Sequence, residues 1–216
     1  MLGVLFIPLF LLSANPNSIS CDADSDCYYL PSQAIVAKKK APALILLHCN
    51  GATREDLDTC RLIGDSLGWI LATCHSSRNH RDIHLNDGDI VKTINKLLRY
   101  YPVDTSRIYL FGFSGQGVQA LATMFLHPEL VRGVITVCAH QAALNLAMPE
   151  LLDNHFVYLV TRNQDWNLMA NYQLYWELKS WGVTCTLAVT AGEHSAGSWR
   201  EILYGCYWLS QQKPSK

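Results

Sequence analysis

The sequence predicts an α/β fold: a doubly wound, mostly parallel sheet with helices on both faces. Two observations carry this. After residue 20, short apolar runs of strand length alternate with segments whose apolar residues recur three to four apart. Each such helix needs a sheet to bury against, and a helix between two strands of one sheet makes the right-handed crossover that keeps them parallel. A third observation bounds the answer. No internal repeat, low-complexity stretch or linker divides the chain, so residues 21–216 form one domain.

Taken in order, Ala43 to His48 is a continuous apolar run, and Leu57, Cys60, Ile63 and Leu67 then mark one face of a helix over 56–67. Trp69 to Cys74 is the next strand, followed by a helix over 87–99 with Ile90, Ile94 and Leu97 on one side. Arg107 to Phe111 is a strand, and Gly115 to Leu126 a helix packed through Val118, Leu121, Ala122 and Phe125. Strands follow at Gly133–Val137 and Phe156–Val160, a helix from about Leu168 to Trp181, and a strand at Val183–Val189. Trp199, Ile202, Leu203, Cys206 and Leu209 place the final helix over about 198–209. Parallel strands put all their C-terminal ends on one edge, which is where sites form in such sheets.

Composition excludes several function classes. The chain has 216 residues, 50% of them hydrophobic, and its 17 Lys+Arg against 18 Asp+Glu give a net charge of −1. That is too apolar for disorder, and it carries no basic footprint for nucleic acid or an anionic membrane. Leu2 to Leu12 is apolar apart from Gly3, with only Pro8 interrupting, and no charge precedes Asp22. The run is too short to span a bilayer and suits the h-region of a signal peptide, with Ser18-Ile19-Ser20 offering small residues before a cut at Cys21. Residues 1–20 are therefore expected to be a leader and the protein to be exported, although no Lys or Arg stands in the n-region. Acylation of Cys21 fits less well, since Ser-Ile-Ser-Cys is a poor lipobox. Eight cysteines suit an exported chain; none forms a C-x-x-C pair, and Cys21 with Cys27 is the first pair to test for a disulfide.

The strongest chemical signal is Gly112-Phe113-Ser114-Gly115-Gln116-Gly117, which closes one strand and opens a helix. A serine on such a tight turn projects its hydroxyl above the sheet edge, beside the free N–H groups of a helix N-terminus. Read alone, the segment is also consistent with a capping serine or a phosphate-binding loop, though neither G-x-x-x-x-G-K-[ST] nor G-x-G-x-x-G is present. A serine nucleophile needs a base and an acid to orient that base. Asp165 follows the strand Phe156–Val160 and His194 follows the last strand, both on the same predicted edge and in the order Ser, Asp, His.

With these residues in place the chain resembles the α/β-hydrolases over roughly residues 41–210, most closely the small esterases related to dienelactone hydrolases, carboxylesterases and feruloyl esterases. Leu47-His48-Cys49-Asn50-Gly51, the Tyr101–Ile108 approach to the serine turn, and Gly192-Glu193-His194 ahead of Trp199 carry the rest of the resemblance. It implies a Ser114–His194–Asp165 triad with the backbone amides of Asn50 and Gly115 as oxyanion donors. It also implies an acyl-enzyme route on a small-molecule carboxylic ester, with no cofactor and no metal. A peptidase or acyltransferase on the same triad, and a catalytically silent binding protein, are the alternatives.

The chain departs from the family pattern at two positions: Gln116 stands where G-x-S-x-G has its second glycine, and Cys49 follows His48 where glycine is usual. Little chain lies between residues 21 and 41, so the N-terminal strands are expected to be mostly missing. No long insertion precedes Asp165, so an open site without a lid domain is expected. The segment from Cys74 to His84 is dense in polar groups and reads as a pocket wall rather than a metal site of His75, His80, Asp82 and His84. Asp22, Asp24 and Asp26 lack the glycine and glutamate of a calcium loop. Lys38–Lys40 reads as a solvated turn, His48 as a structural donor, and Trp166 as either pocket wall or core.

Overall fold

The computed structural model describes residues 16–36 and 40–212. Residues 1–15 of the expected leader, and Lys38 and Lys39 of the expected turn, lie outside them. In chain order the elements are β1 (Ile19–Cys21), β2 (Cys27–Tyr29), α1 (Ser32–Val36), β3 (Ala41–Leu47), α2 (Arg54–Leu67), β4 (Ile70–Thr73), α3 (Ile83–Tyr100) and β5 (Val103–Phe113). There follow α4 (Gly115–Leu126), β6 (Gly133–Val137), β7 (Phe156–Arg162), α5 (Leu168–Ser180), β8 (Thr184–Thr190) and α6 (Trp199–Gln211). Two short 3-10 segments, Gln141–Leu146 and Pro149–Leu151, lie between β6 and β7.

The strands form one sheet in the order β1-β2-β4-β3-β5-β6-β7-β8. From β4 to β8 every pairing is parallel, with Ile45 opposite both Ala72 and Leu110, while β1 and β2 add an antiparallel edge. Alternation along β3 shows why the sheet is covered on both sides. Ala43, Ile45 and Leu47 face a core built with Ile90, Ile94, Leu97, Leu121 and Leu174 of α3, α4 and α5. Leu44 and Leu46 face a second core built with Leu57, Ile63, Ile202 and Leu209 of α2 and α6. The mostly parallel, doubly wound architecture is the one the alternation predicts.

The start of α3 and the two N-terminal strands differ from expectation for identifiable reasons. α3 starts at Ile83, ahead of Asp87, because the Asp82 carboxylate accepts the N–H groups of His84 and Leu85 and caps it. The N-terminal strands expected to be mostly missing are represented by β1 and β2, each three residues long. They are closed by the Cys21–Cys27 disulfide, and Lys96 holds the intervening Asp22 and Asp24 onto α3 at 2.6 and 2.8 Å. Asp26, buried in the same loop, accepts the His75 N–H at 3.0 Å and so ties this corner to the loop after β4.

Candidate active site

Ser114 stands between β5 and α4 with φ 54° and ψ −123°, a strained conformation for a residue with a Cβ. Its N–H donates to Val137 O at 2.8 Å, and its carbonyl accepts from Gly117 and Val118 at 2.9 and 3.2 Å, so the turn is locked by β6 on one side and by α4 on the other. The turn needs Gly112: a Cβ there would lie 2.1 Å from the Gln116 carbonyl oxygen. Ser114 makes no side-chain capping bond, which sets aside the capping role and leaves its hydroxyl to the sheet edge.

The loops after β7 and β8 bring the other two residues to that hydroxyl. His194 Nε2 lies 2.9 Å from Ser114 Oγ, and His194 Nδ1 lies 2.8 Å from Asp165 Oδ1. Asp165 is 5% exposed. Burial raises its pKa, but bonds from the Asn167 N–H, the Cys138 thiol, His194 and the Thr161 hydroxyl outweigh this and hold the carboxyl below its usual range. The imidazole is fixed from both faces. The Trp166 ring stacks on it at 3.9 Å and 17°, and Phe113 meets it at 5.0 Å. Trp166 is itself 76% exposed, so it is wall rather than core and the site is open on that side.

No family model and no curated protein matches the sequence. Solved structures do match the fold. A ferulic acid esterase aligns with a TM-score of 0.66 at 17% identity, covering 85% of this chain and 88% of that one. The S-formylglutathione hydrolase FrmB from Staphylococcus aureus gives 0.67 at 12% identity over 89% and 94%. FphF, a fluorophosphonate-binding serine hydrolase of Staphylococcus aureus, gives 0.68 at 13% identity over 92% and 100%. This chain has the α/β-hydrolase fold.

The two departures from the α/β-hydrolase pattern meet in one corner. Gln116 is 1% exposed, and its side chain is fully engaged: Ser77 Oγ donates to Oε1 at 2.8 Å and Nε2 donates to Asn79 Oδ1 at 3.4 Å. Cys49 Sγ donates to the Phe113 carbonyl at 3.5 Å. Burial pushes the thiol up, against bonds from the Asn79 side chain and the Gln116 amide. Of the two expected amide donors, Gly115 N–H is the first amide of α4 and has no intrahelical acceptor. Asn50 is exposed, and its N–H donates to His48 Nδ1 at 3.3 Å, so His48 serves here as an acceptor and not as the structural donor expected of it.

The loop after β4 lies where a pocket wall is expected. A cleft of about 300 Å3 runs between Asn79, His80, Arg81, Gly115, Gln116 and Gln119. His75 Nδ1 pairs with the Ala52 carbonyl at 3.2 Å and Asp82 caps α3, so the four polar residues considered as metal ligands are not gathered. Among the described residues the one trio close enough to hold an ion is Cys138, Asp165 and His194.

Two site residues escaped sequence reasoning. Arg162, 3% exposed at the end of β7, bonds Thr190, Ser195 and Glu201 and so spans the whole loop that carries His194. Cys138, at φ 53° after β6, presents its carbonyl to Asn167 Nδ2 at 3.0 Å and its thiol to Asp165. Burial pushes that thiol up to about 12. The only sequence sign for either residue is its place at a strand C-terminus.

Proposed function

We propose that the protein is a serine hydrolase that cleaves carboxylic esters through an acyl-enzyme. The observation that carries this is the continuous contact from Ser114 Oγ to His194 Nε2 at 2.9 Å and from His194 Nδ1 to Asp165 at 2.8 Å. As the Ser114 oxygen bonds to the carbonyl carbon, its proton passes to His194 Nε2 and the carbonyl π pair moves onto oxygen. Asp165, ionised and buried, holds the imidazole in the tautomer that can accept that proton and stabilises the imidazolium. Collapse of the tetrahedral adduct breaks the bond to the alcohol oxygen, which leaves with the proton from His194. Water, activated by the same imidazole, then releases the acid and regenerates Ser114.

The cleft of about 300 Å3 beside Gly115 suits a small or medium substituent, at the lower end of ligand-site volumes. Among the solved structures of this fold three are named esterases and two peptidases, and the ester reading follows the more numerous of the two. The Cys21–Cys27 disulfide and the apolar N-terminal run support export.

The test is a fluorophosphonate probe together with p-nitrophenyl esters of graded chain length and the matching anilides. The expected result is a label on Ser114 that is absent in Ser114→Ala, with turnover of esters well above anilides. A folded wild-type protein that takes no label and turns over no ester is a binding protein on this fold, and one that prefers anilides is a peptidase.

A further inference from the structure

We propose that the side-chain amide of Asn79 is the second oxyanion donor, acting with Gly115 N–H; this rests on the ester-hydrolase reading above. A single backbone amide is a thin cradle for a developing oxyanion, and the other expected amide, that of Asn50, already has an acceptor in His48 Nδ1 at 3.3 Å. Asn79 enters from the loop after β4. Its own N–H donates to the Cys49 carbonyl at 2.8 Å, which fixes the loop to the end of β3. Its side chain lies directly against Gly115. A Cβ on that glycine would stand 2.6 Å from Asn79 Oδ1 and 3.1 Å from Nδ2, so the amide can occupy this place only because residue 115 is glycine.

The contact with Gln116 sets which end of the amide is left for the reaction. Ser77 Oγ donates to Gln116 Oε1 at 2.8 Å, so Gln116 presents Nε2 to Asn79 Oδ1, and Asn79 is left to present its NH2 group. On the other side Cys49 spends its S–H on the Phe113 carbonyl at 3.5 Å, so toward Asn79 its sulfur can act only as an acceptor, which is compatible with the same orientation. Sulfur is a weak acceptor, and a donor resting on a thiol gives up little when an oxyanion forms beside it. The cleft lined by Asn79 and Gly115 opens beside this point and has room for a small acyl group. Gln116 thereby has a reason to replace the usual glycine: with Ser77 it is a positioning residue that holds the Asn79 amide in one orientation.

The experiment compares wild type, Asn79→Ala, Asn79→Asp and Gln116→Ala on p-nitrophenyl acetate, and measures inhibition by a trifluoromethyl ketone, whose hemiketal carries the same oxyanion. Loss of one such donor lowers kcat about 10²–10³-fold in enzymes of this kind. Asn79→Ala is expected to show that loss with KM within about threefold of wild type, and to weaken the ketone by a similar factor with the thermal midpoint kept. Asn79→Asp is nearly isosteric, keeps the Gln116 bond and turns an acceptor toward the oxyanion; it is expected to be at least as impaired. Gln116→Ala frees the amide to rotate and is expected to fall in between. Asn79→Ala or Asn79→Asp retaining kcat within about threefold, with unchanged ketone affinity, overturns the assignment. Should Asn79→Ala fail to fold, Asn79→Asp decides alone. A wild-type protein without esterase activity or probe labelling fails the ester reading itself, and this inference falls with it.

Discussion

Arg162 and Glu201 form a two-point ion pair across the base of the loop that carries His194, with Nη1–Oε1 at 2.7 Å and Nη2–Oε2 at 3.0 Å. Glu201 also accepts the Ser198 N–H at 2.9 Å, completing the capping box of α6, while Arg162 reaches Ser195 one residue beyond the histidine. The loop is thus clamped from the sheet and from α6 together. Gly197 at φ 78° is part of the fit, since a Cβ there would lie 2.1 Å from Glu201 Oε2. Arg162→Ala leaves the part-buried Glu201 carboxylate, 23% exposed, without its partner and is expected to cost about 1–3 kcal/mol in urea unfolding. Glu201→Gln keeps one acceptor but leaves the buried Arg162 guanidinium without its counter-charge, and it is expected to lower the unfolding midpoint while kcat falls about 10–100-fold, because a small displacement of His194 misaligns the proton transfer. A Glu201→Gln enzyme with wild-type kcat would show that the loop holds its geometry without the clamp.

In the proposed mechanism Asp165 couples catalysis to stability, since its pKa is lowered in the fold. A carboxyl held below its unfolded value stabilises the fold fully above that unfolded pKa, near 4, and the contribution is lost as pH falls through the lower folded pKa. Asp165→Asn removes that linkage. Its thermal midpoint is expected to decline less steeply than wild type below pH 4, while its kcat at pH 7 falls about 10⁴-fold because the imidazole loses the tautomer it needs. Parallel acid-side melting curves for the two proteins would refute the linkage.

Cys49 is the one free cysteine of the described residues that is not buried. Burial raises its pKa above the ordinary thiol value, so its thiolate fraction, and with it alkylation by iodoacetamide, is expected to go on rising between pH 7 and 9. An ordinary thiol near 8.5 levels off over that range. The adduct fills the corner between Phe113 and Asn79, so activity is expected to disappear in step with labelling, and Cys49→Ala is expected to resist. Mass spectrometry of the labelled peptide against residual turnover checks both statements.

The parts of this molecule that are legible in its sequence are those whose signals are local. Gly115–Leu126 and Gly133–Val137 are read to the residue because glycine and strongly periodic apolar positions bound them. The order Ser114, Asp165, His194 is legible because a parallel sheet sends successive strand ends to the same edge. β1 and β2 were not: three residues carry no periodicity, and they exist through a disulfide and through long-range bonds such as Cys27 N–H to Thr73 Oγ1 at 2.8 Å. Cys138 and Arg162 were not legible for the same reason. Each acts where several loops converge, and convergence of loops has no signature along one segment.

The contact between Ser114 Oγ and His194 Nε2 carries a prediction about non-additivity. If the hydroxyl is nucleophilic only because the imidazole takes its proton, then removing either group removes the function of both. Ser114→Ala and His194→Ala are each expected to lower kcat by about 10⁴–10⁶-fold, and the double variant by no more than the worse single one. Residual turnover in all three reflects binding and the oxyanion donors, so it is expected to fall further when Asn79→Ala is added. Stopped-flow measurement of p-nitrophenol release distinguishes the cases. Losses that multiply in the double variant mean that the two side chains act in separate steps, and a His194→Ala enzyme with near-normal turnover means that another histidine of this edge, His48 or His75, is the base.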